Sequence, residues 1–576
     1  AEPELEPILG SLVRKEVLSV QADPRSPERG QYAFLQDLLK QIAYETLARA
    51  DRKAKHVAAA EFLSSSTGQS EQETVEVVAA HYLDAYEAAP DAEDAGQLRA
   101  KAGEQLTLAG ERAASLAASE EAQRYFTKAA ALAEDDSVRA RLLEQAGGAA
   151  FDGARFDVSV ELLDEAITLY NAAGSTHPAA RATAQLGLSA WRNGDLKGGA
   201  HRLAQALDVL ADDEPDAEIA ALVEMLGRLN FFLGEHDLAW DRVERALEIA
   251  EALPAPEVLA NALNTKSLLL DAKGRYEEGS ALLARAVAIG REHDLRLSLL
   301  RAMNNYCVEL SVRNRFSELE VVAREGEDLA HRLGLREAEQ QFLSFVGLAA
   351  WMLGDWNECD ALVDRYTAGG TYTPLFRANT IIFPGMHRGR VSEVRHALDD
   401  IEALRNSDDA QISGGFARLE GCVLHAEGRF AEAVAAQRAS QELNTTIHSK
   451  IDTFTWAYEL ESLADAHDAD QLEDCLRARD ALAAVERTSF VEAQHARFRG
   501  RLLALRGDRE GAAEALESAS AQFSASGLRF YEAATLVELA EVRGAPVPQE
   551  ARETLERLDA KPWLERADAL QRAVAV

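Results

Sequence analysis

Turn-opening small residues recur along this sequence at a near-constant step of 40, and no other feature constrains the fold as tightly. They fall at Ala117, Ala154, Gly194, Gly234, Gly274, Asn314, Gly354, Gly389, Gly428 and Gly507, and the five intervals from Ala154 to Gly354 are 40 residues each. The gap from Gly428 to Gly507 leaves room for one degenerate repeat near Asp468. A fixed period of this size marks a solenoid, in which each helical hairpin buries its apolar face on its neighbours.

Two more columns carry the same period. Seven residues before most turns stands another small residue: Gly110, Gly147, Gly187, Gly227, Ser267, Cys307, Gly347, Gly421 or Gly500. Twelve residues after the turns stand Ala129, Ala166, Ala206, Ala246, Ala286, Gly326 and Ala519. A glycine inside a helix costs about 1 kcal/mol relative to alanine, so repeated mid-helix glycines require a packing reason. Close approach of paired helices supplies it. The aromatic or aliphatic residue that follows most turns (Phe156, Leu196, Leu238, Tyr276, Phe316, Trp356, Val391, Phe430) is expected to plug the space left by the small ones. Stretches such as GRYEEGSALLARAVAIG (274–290), GRFAEAVAAQRASQEL (428–443) and GDREGAAEALESASAQF (507–523) resemble tetratricopeptide repeats, in a variant with helices longer than the usual repeat of about 34 residues. The expected fold is all-α: a right-handed tetratricopeptide-like superhelix of hairpins of about 40 residues, with a small N-terminal head.

The 14 prolines and few aromatics suit an almost wholly helical chain. With 61 Lys and Arg against 97 Asp and Glu, the net charge is −36, which repels phosphate backbones and anionic lipid, so neither nucleic acid nor membrane is an expected partner. Cys307, Cys359, Cys422 and Cys475 are far apart with no Cys-x-x-Cys pair, as for small buried hydrophobes in a reducing compartment. There is no apolar run of spanning length and no signal peptide, so a soluble cytoplasmic protein is expected. A start at Ala1 rather than methionine is expected of a processed product or a piece of a longer polypeptide.

Residues 1–60 do not follow the repeat. A short helix through Leu12, Val13, Val17 and Leu18 leads to a turn-rich insertion (21–30), and Gln31–Leu35 can pair as a strand with Leu18–Gln21. An amphipathic helix follows through Leu38, Leu39, Ile42, Ala43 and Leu47. This is the outline of a winged helix, and equally that of an irregular helical cap. The segment LVRKEVLSVQADPRSPERGQYAFLQDLLKQIAYETLARADRKAKHVAAAEFL (12–63) resembles the region that follows the ATPase core in large bacterial signal-transduction ATPases, of the cyclase-coupled or transcriptional-regulator type. AHYLDAYEAAPD (80–91), residues 98–135, GLRFYEAATLVELAEV (527–542) and LERLDAKPWLERA (555–567) extend the resemblance along the chain. It implies a sensor array reporting to a nucleotide switch, whose output is cyclic-nucleotide synthesis or transcription. The departures are specific. There is no Gly-x-x-x-x-Gly-Lys-Ser/Thr loop, no cyclase-like aspartates precede Ile8, and nothing after Trp563 has the length of a helix-turn-helix. Gln36 and Asp37 stand after Phe34 where many relatives carry a histidine, so no nucleotide-sensing role carries over there. Arg49, Arg52 and Lys53 form a basic cluster that either faces a nucleotide or an ATPase core, or is a solvated helix end where cations suit the C-terminal dipole.

The expected organisation is a head (1–65), a helical connector (66–100), a solenoid of about 11 repeats (101–545) and a C-terminal capping helix (546–576). The thirteen histidines show no His-x-x-x-His spacing, and His387 and His396 are too far apart to share a metal on one helix. No Gly-x-Ser-x-Gly elbow occurs. No catalytic residue, metal or cofactor is expected of this chain.

A ligand is expected in the concave groove lined by the first helix of each repeat. Ten residues before the turns lie Glu144, Ala184, Glu224, Asn264, Asn304, Ser344 and Asn379. Asn264 and Asn304, one repeat apart, are read as an amide ladder suited to an extended peptide backbone, or else as ordinary solvated polarity. Asn261, Arg301, Arg228 and Arg181 stand near enough to receive carboxylates. Three residues before the turns stand Phe151, Trp191, Phe231, Asp271, Ser311, Trp351 and Met386, read either as apolar pockets around a polar centre at Asp271 and Ser311 or as packing between first helices. Pro384 is expected to break the helical pattern after the loop 368–374 and to change the curvature near 370–390. Two readings follow: a non-catalytic sensor and scaffold that binds a protein, peptide or small ligand and regulates an attached nucleotide switch through residues 1–65, or a free-standing adaptor that assembles protein partners.

Overall fold

In the computed structural model, the residues described are 2–20, 32–65, 71–116, 118–211, 214–367, 372–407, 409–448 and 452–574. Among them, 29 α-helices follow one another and pack in successive antiparallel pairs, and the sheet content is one two-stranded ribbon. The hairpins come from the turn column. At Gly194, between the helices Thr176–Arg192 and Leu196–Val209, φ is +95°, and the Asp195 amide reaches back to the Ala190 carbonyl at 2.8 Å, closing the first helix. A residue without Cβ takes this left-handed conformation without strain. Asn314 and Ala154 adopt it too, at +58° and +55°, while Ala117 lies outside the described residues. The degenerate repeat is present: helices Thr453–Asp465 and Ala469–Arg477 flank His467, at φ +57°, and the Asp468 carboxylate caps the second by accepting from the Gln471 amide at 3.0 Å.

The small-residue column does bring paired helices together, but the plug is a different residue. A Cβ on Gly147 would lie 2.7 Å from Leu163 Cγ, and one on Gly500 2.7 Å from Leu516 Cγ. Phe126 and Leu203 fill the equivalent space at Gly110 and Gly187. The filling residue thus stands nine places after the turn, on the inner face of the second helix, and is not the first apolar residue to follow the turn. That first apolar residue sits in the opening turn of the helix, where Phe316 and Trp356 are buried but Leu238 is exposed.

Pro384 does not break its helix, which runs from Thr373 to His387. It lies in the last turn, where its missing N–H costs a single backbone bond. Of the loop before it, residues 368–371 are outside the described part. At the N-terminus the helix Glu2–Arg14 leads to strands Leu18–Val20 and Tyr32–Phe34, antiparallel with Leu18 opposite Phe34, and then to the helix Asp37–Glu45. Residues 21–31 lie outside the described part. The helices Arg49–Ser65, Glu71–Ala88 and Ala95–Ser115 share a core of Ala60, Val78, Tyr82, Ala85, Leu98 and Ala102.

The chain forms two compact units, 1–239 and 240–576. Within the first, the helices of the array pack on neighbours close in sequence. Within the second, the array closes on itself. The helix Arg336–Leu353 packs against Arg529–Arg543, and Thr373–His387 against Lys561–Val574. The Arg388 guanidinium is buried there, donating to the Leu558 carbonyl at 2.9 Å and to Asp360 and Asn357 at 2.8 and 3.0 Å.

Candidate functional site

The predicted amides lie on consecutive first helices, Pro256–Ala272 and Arg296–Val312, and the structure brings most of them together. The pairing differs from the expected ladder by one residue. Asn305, not Asn304, donates to the Asn264 side-chain oxygen at 2.7 Å, and Asn304 donates to Asn305 at 3.4 Å. Asn264 itself is fully buried, and its Nδ2 has no hydrogen-bond partner among the described residues. It therefore supports the cluster from beneath and presents nothing to a ligand. Arg301 is held across the helix pair, donating to Asn261 Oδ1 at 3.2 Å and to Thr265 Oγ1 at 2.8 Å. Asn261, Arg301, Asn304 and Asn305 are all partly exposed, so the cluster offers a guanidinium with carboxamides on both sides. Such a surface can take a peptide backbone or a carboxylate.

Asp271 and Ser311 do not form an open polar centre. Ser311 turns back to donate to the Val308 carbonyl at 2.7 Å. Asp271 faces the buried Glu309, whose carboxyl is pushed up to about 7 by burial and then by the Asp271 charge, with Arg313 Nε 3.9 Å away opposing. Trp351 is buried in an aromatic stack: Phe383 at 4.7 Å, Phe454 at 6.1 Å and Tyr458 at 6.4 Å between ring centres. In this unit the apolar column is packing, and no groove opens over Trp351. In the first unit the same column is only half-buried. Trp191 stacks on Phe232 at 6.2 Å, with the Arg228 guanidinium 4.7 Å above the Trp191 ring. Arg228 thus belongs to an aromatic strip and not to the amide cluster. Arg181 pairs with Glu218 at 3.4 Å, and Glu144 accepts from the Tyr170 hydroxyl at 2.7 Å.

Two arrangements lie outside the predicted cluster. One is a buried ion network on the inner faces of the closing helices. Arg497 lies between Glu538, at 2.8 Å through both nitrogens, and Glu461 at 3.5 Å; Arg501 joins Asp465 to Glu538. Against the cost of burial, Arg501 and His425 hold Asp465 down at about 2, and Arg497 with His387 keeps Glu461 below its usual range. His387, packed 4.4 Å from the Phe530 ring, is lowered to about 4 by burial. The other is near the N-terminus, where His56, His81 and Asp84 converge from two helices. Their distances along the chain match no metal motif, and only the packing of helix 49–65 on helix 71–88 shows them.

The basic cluster sits at the start of a helix, Arg49–Ser65, and not at a helix end, so the dipole does not favour it. Arg52 lies over the Tyr44 ring at 5.1 Å and Lys53 pairs with Asp94. Cys307, Cys359 and Cys422 are buried and unbridged, and Cys475 is half-buried. Among the described residues no helix is long and apolar enough to cross a membrane.

No protein-family model matches the sequence, and no curated protein does. Among solved structures the chain is similar to the Cut9–Hcn1 heterotetramer of APC/C, at 14% identity over 87% of this chain and 92% of that one, with a TM-score of 0.46. It is similar also to a signal transduction ATPase with numerous domains from Pyrococcus horikoshii, which carries a tetratricopeptide repeat sensor: 12% identity over 76% of this chain and 60% of that one, TM-score 0.39. The apo form of RapI aligns at 13% identity over 53% of this chain and 97% of that one, TM-score 0.33. The repeat architecture rests on the hairpin geometry itself.

Proposed function

We propose that this chain is a non-catalytic interaction array that binds a protein or peptide at the partly exposed Asn261–Arg301–Asn304–Asn305 cluster and regulates an attached nucleotide switch. The observation that carries the binding reading is Arg301, fixed between Asn261 and Thr265 with amides around it on a face that remains partly open. Tetratricopeptide-like hairpins present their first helices for such contacts, and the amides supply donors and acceptors to an extended backbone. The switch reading rests on the resemblance of residues 12–63 to the segment that follows a signalling ATPase core.

A photo-crosslinking residue at position 304, compared with one at the exposed Arg285 on a second helix, tests the face in living cells. Capture of a defined protein at 304 alone supports the reading, while equal capture at both positions, or none at 304, overturns it. The reading frame upstream of Ala1 tests the switch. A Gly-x-x-x-x-Gly-Lys-Ser/Thr loop about one domain before Ile8 supports regulation of an ATPase. A start codon directly before Ala1 leaves the free-standing adaptor as the reading.

A further inference from the structure

His56 lies on the helix Arg49–Ser65, and His81 and Asp84 lie three apart on the helix Glu71–Ala88. Residues three apart share a helix face, so the second helix offers an imidazole and a carboxylate side by side. His56 meets both. Its Nδ1 is 3.0 Å from His81 Nδ1 and 3.6 Å from Asp84 Oδ2. All three ligand atoms lie within 4.8 Å of one another, and among the described residues they are the one group of His, Cys, Asp and Glu side chains that meets this condition.

From these distances we propose that His56, His81 and Asp84 form a binding site for a divalent first-row metal ion, zinc in the first place. A tetrahedral zinc with Zn–N of 2.0–2.1 Å and Zn–O of 2.0–2.2 Å holds its ligand atoms about 3.3–3.5 Å apart. The two edges from His56, 3.0 and 3.6 Å, bracket that span, and the third, from His81 to Asp84, is within 4.8 Å, so side-chain rotation closes the three groups around an ion. Two imidazoles and one carboxylate favour borderline ions such as zinc, cobalt or nickel over magnesium and calcium.

The surroundings prepare His56 for this role. The Tyr44 hydroxyl, from the helix Asp37–Glu45, lies 3.0 Å from His56 Nε2. When Nε2–H donates to that oxygen, the lone pair of Nδ1 points at His81 and Asp84, which is the tautomer a ligand needs. Two Nδ1 atoms 3.0 Å apart require one N–H between them, carried by His81. The ion takes the place of that proton, and the His81 proton moves to Nε2. His56 is mostly buried whereas Asp84 is about half exposed, so the fourth coordination position opens toward solvent on the Asp84 side. Basic side chains of the same helix pair and its neighbours are engaged elsewhere, Arg52 over the Tyr44 ring, Lys53 with Asp94 and Lys101 over the Tyr82 ring. Loaded, the site would fasten the helix Arg49–Ser65 to the helix Glu71–Ala88.

Cobalt titration of the full chain, read by its visible d–d absorption and displaced by zinc, tests the proposal. One tetrahedral cobalt per chain is expected in the wild type, with the signal abolished in both His81→Ala and Asp84→Asn. Asp84→Asn changes a half-exposed group and leaves the helix core intact, so it reports on the ion even if His81→Ala misfolds. Tyr44→Phe should retain the stoichiometry and weaken zinc about tenfold or more, as loss of an orienting partner does. No d–d absorption in the wild type, or the same absorption in Asp84→Asn, overturns the site.

Discussion

The two units are built from the same hairpin and differ in what covers the inner face. In 1–239 the column before each turn, Phe151, Trp191 and Phe231, is half-buried. In 240–576 its counterparts Trp351 and Met386 are buried, Trp351 beneath side chains of helices that come a hundred residues or more later. The first is held by neighbour-to-neighbour contacts, the second also by a single core that runs from Ala286 to Ala567. A repeat fixes the hairpin, and the side chains on its inner face decide whether the array stays open or closes.

The comparison is broken most directly at the ion network. Arg497→Ala strips the buried Glu461 of its guanidinium partner and leaves Glu538 with Arg501 alone, at 3.5 Å, a loss of roughly 3–5 kcal/mol. Hydrogen exchange should rise across 453–543 and stay unchanged across 119–209; an equal rise in both would mean that the units do not unfold separately.

Matched core truncations come next. Phe530→Ala should cost about 3–5 kcal/mol and loosen segments as distant as Trp356 and His387, which pack on that ring. Leu163→Ala should cost about 2–5 kcal/mol and loosen only its own hairpin and the adjoining ones. Exchange that spreads equally far from both sites would contradict the distinction.

Acid sharpens it further. His387 has a folded-state value of about 4, below its ordinary 6.5, so the unfolded chain takes up its proton first. That contribution to stability is complete above pH 6.5 and is lost as pH falls towards 4, by up to roughly 3 kcal/mol. His387→Phe should flatten the acid limb of a urea midpoint measured from pH 7 to pH 4. Glu309 acts in the opposite sense. Its value is raised from 4.5 to about 7, so its favourable term is present below 4.5 and lost as pH rises through 7. Glu309→Gln should therefore stabilise the second unit at pH 8 more than at pH 5, and equal midpoint shifts at the two pH values would refute this.

The smallest effect belongs to the open column. Arg228→Ala removes a cation from the Trp191 ring and should cost at most about 1 kcal/mol, confined to the first unit in a thermal scan.

The hairpins were legible because a left-handed turn favours Gly or Asn and a close helix pair needs a missing side chain, and both requirements leave a residue type in the sequence. The identity of the plug was not, because Leu163 and Leu516 look like any core leucine until the helix opposite is placed. The amide cluster was legible in composition and off by one in register, since the neighbouring helix brings Asn305 and not Asn304 to Asn264. The closure over Trp351 and the His56–His81–Asp84 group were illegible because each joins residues whose separation in the chain carries no period. The Arg497 network does follow the repeat, with Arg497 standing 41 residues before Glu538 and 36 after Glu461, but in a chain this rich in Arg and Glu nothing marks those residues as partners.

The Arg388 guanidinium has consequences for how such a chain is made. Its carbonyl partner at Leu558 is 170 residues downstream. A ribosome adding roughly 5–20 residues per second completes each hairpin of the first unit soon after it emerges. The second unit must wait many seconds with its inner aromatics uncovered and a cation beside them. In that interval the nascent chain is a natural client for a holding chaperone, and a stop codon anywhere between 400 and 558 would make the waiting permanent.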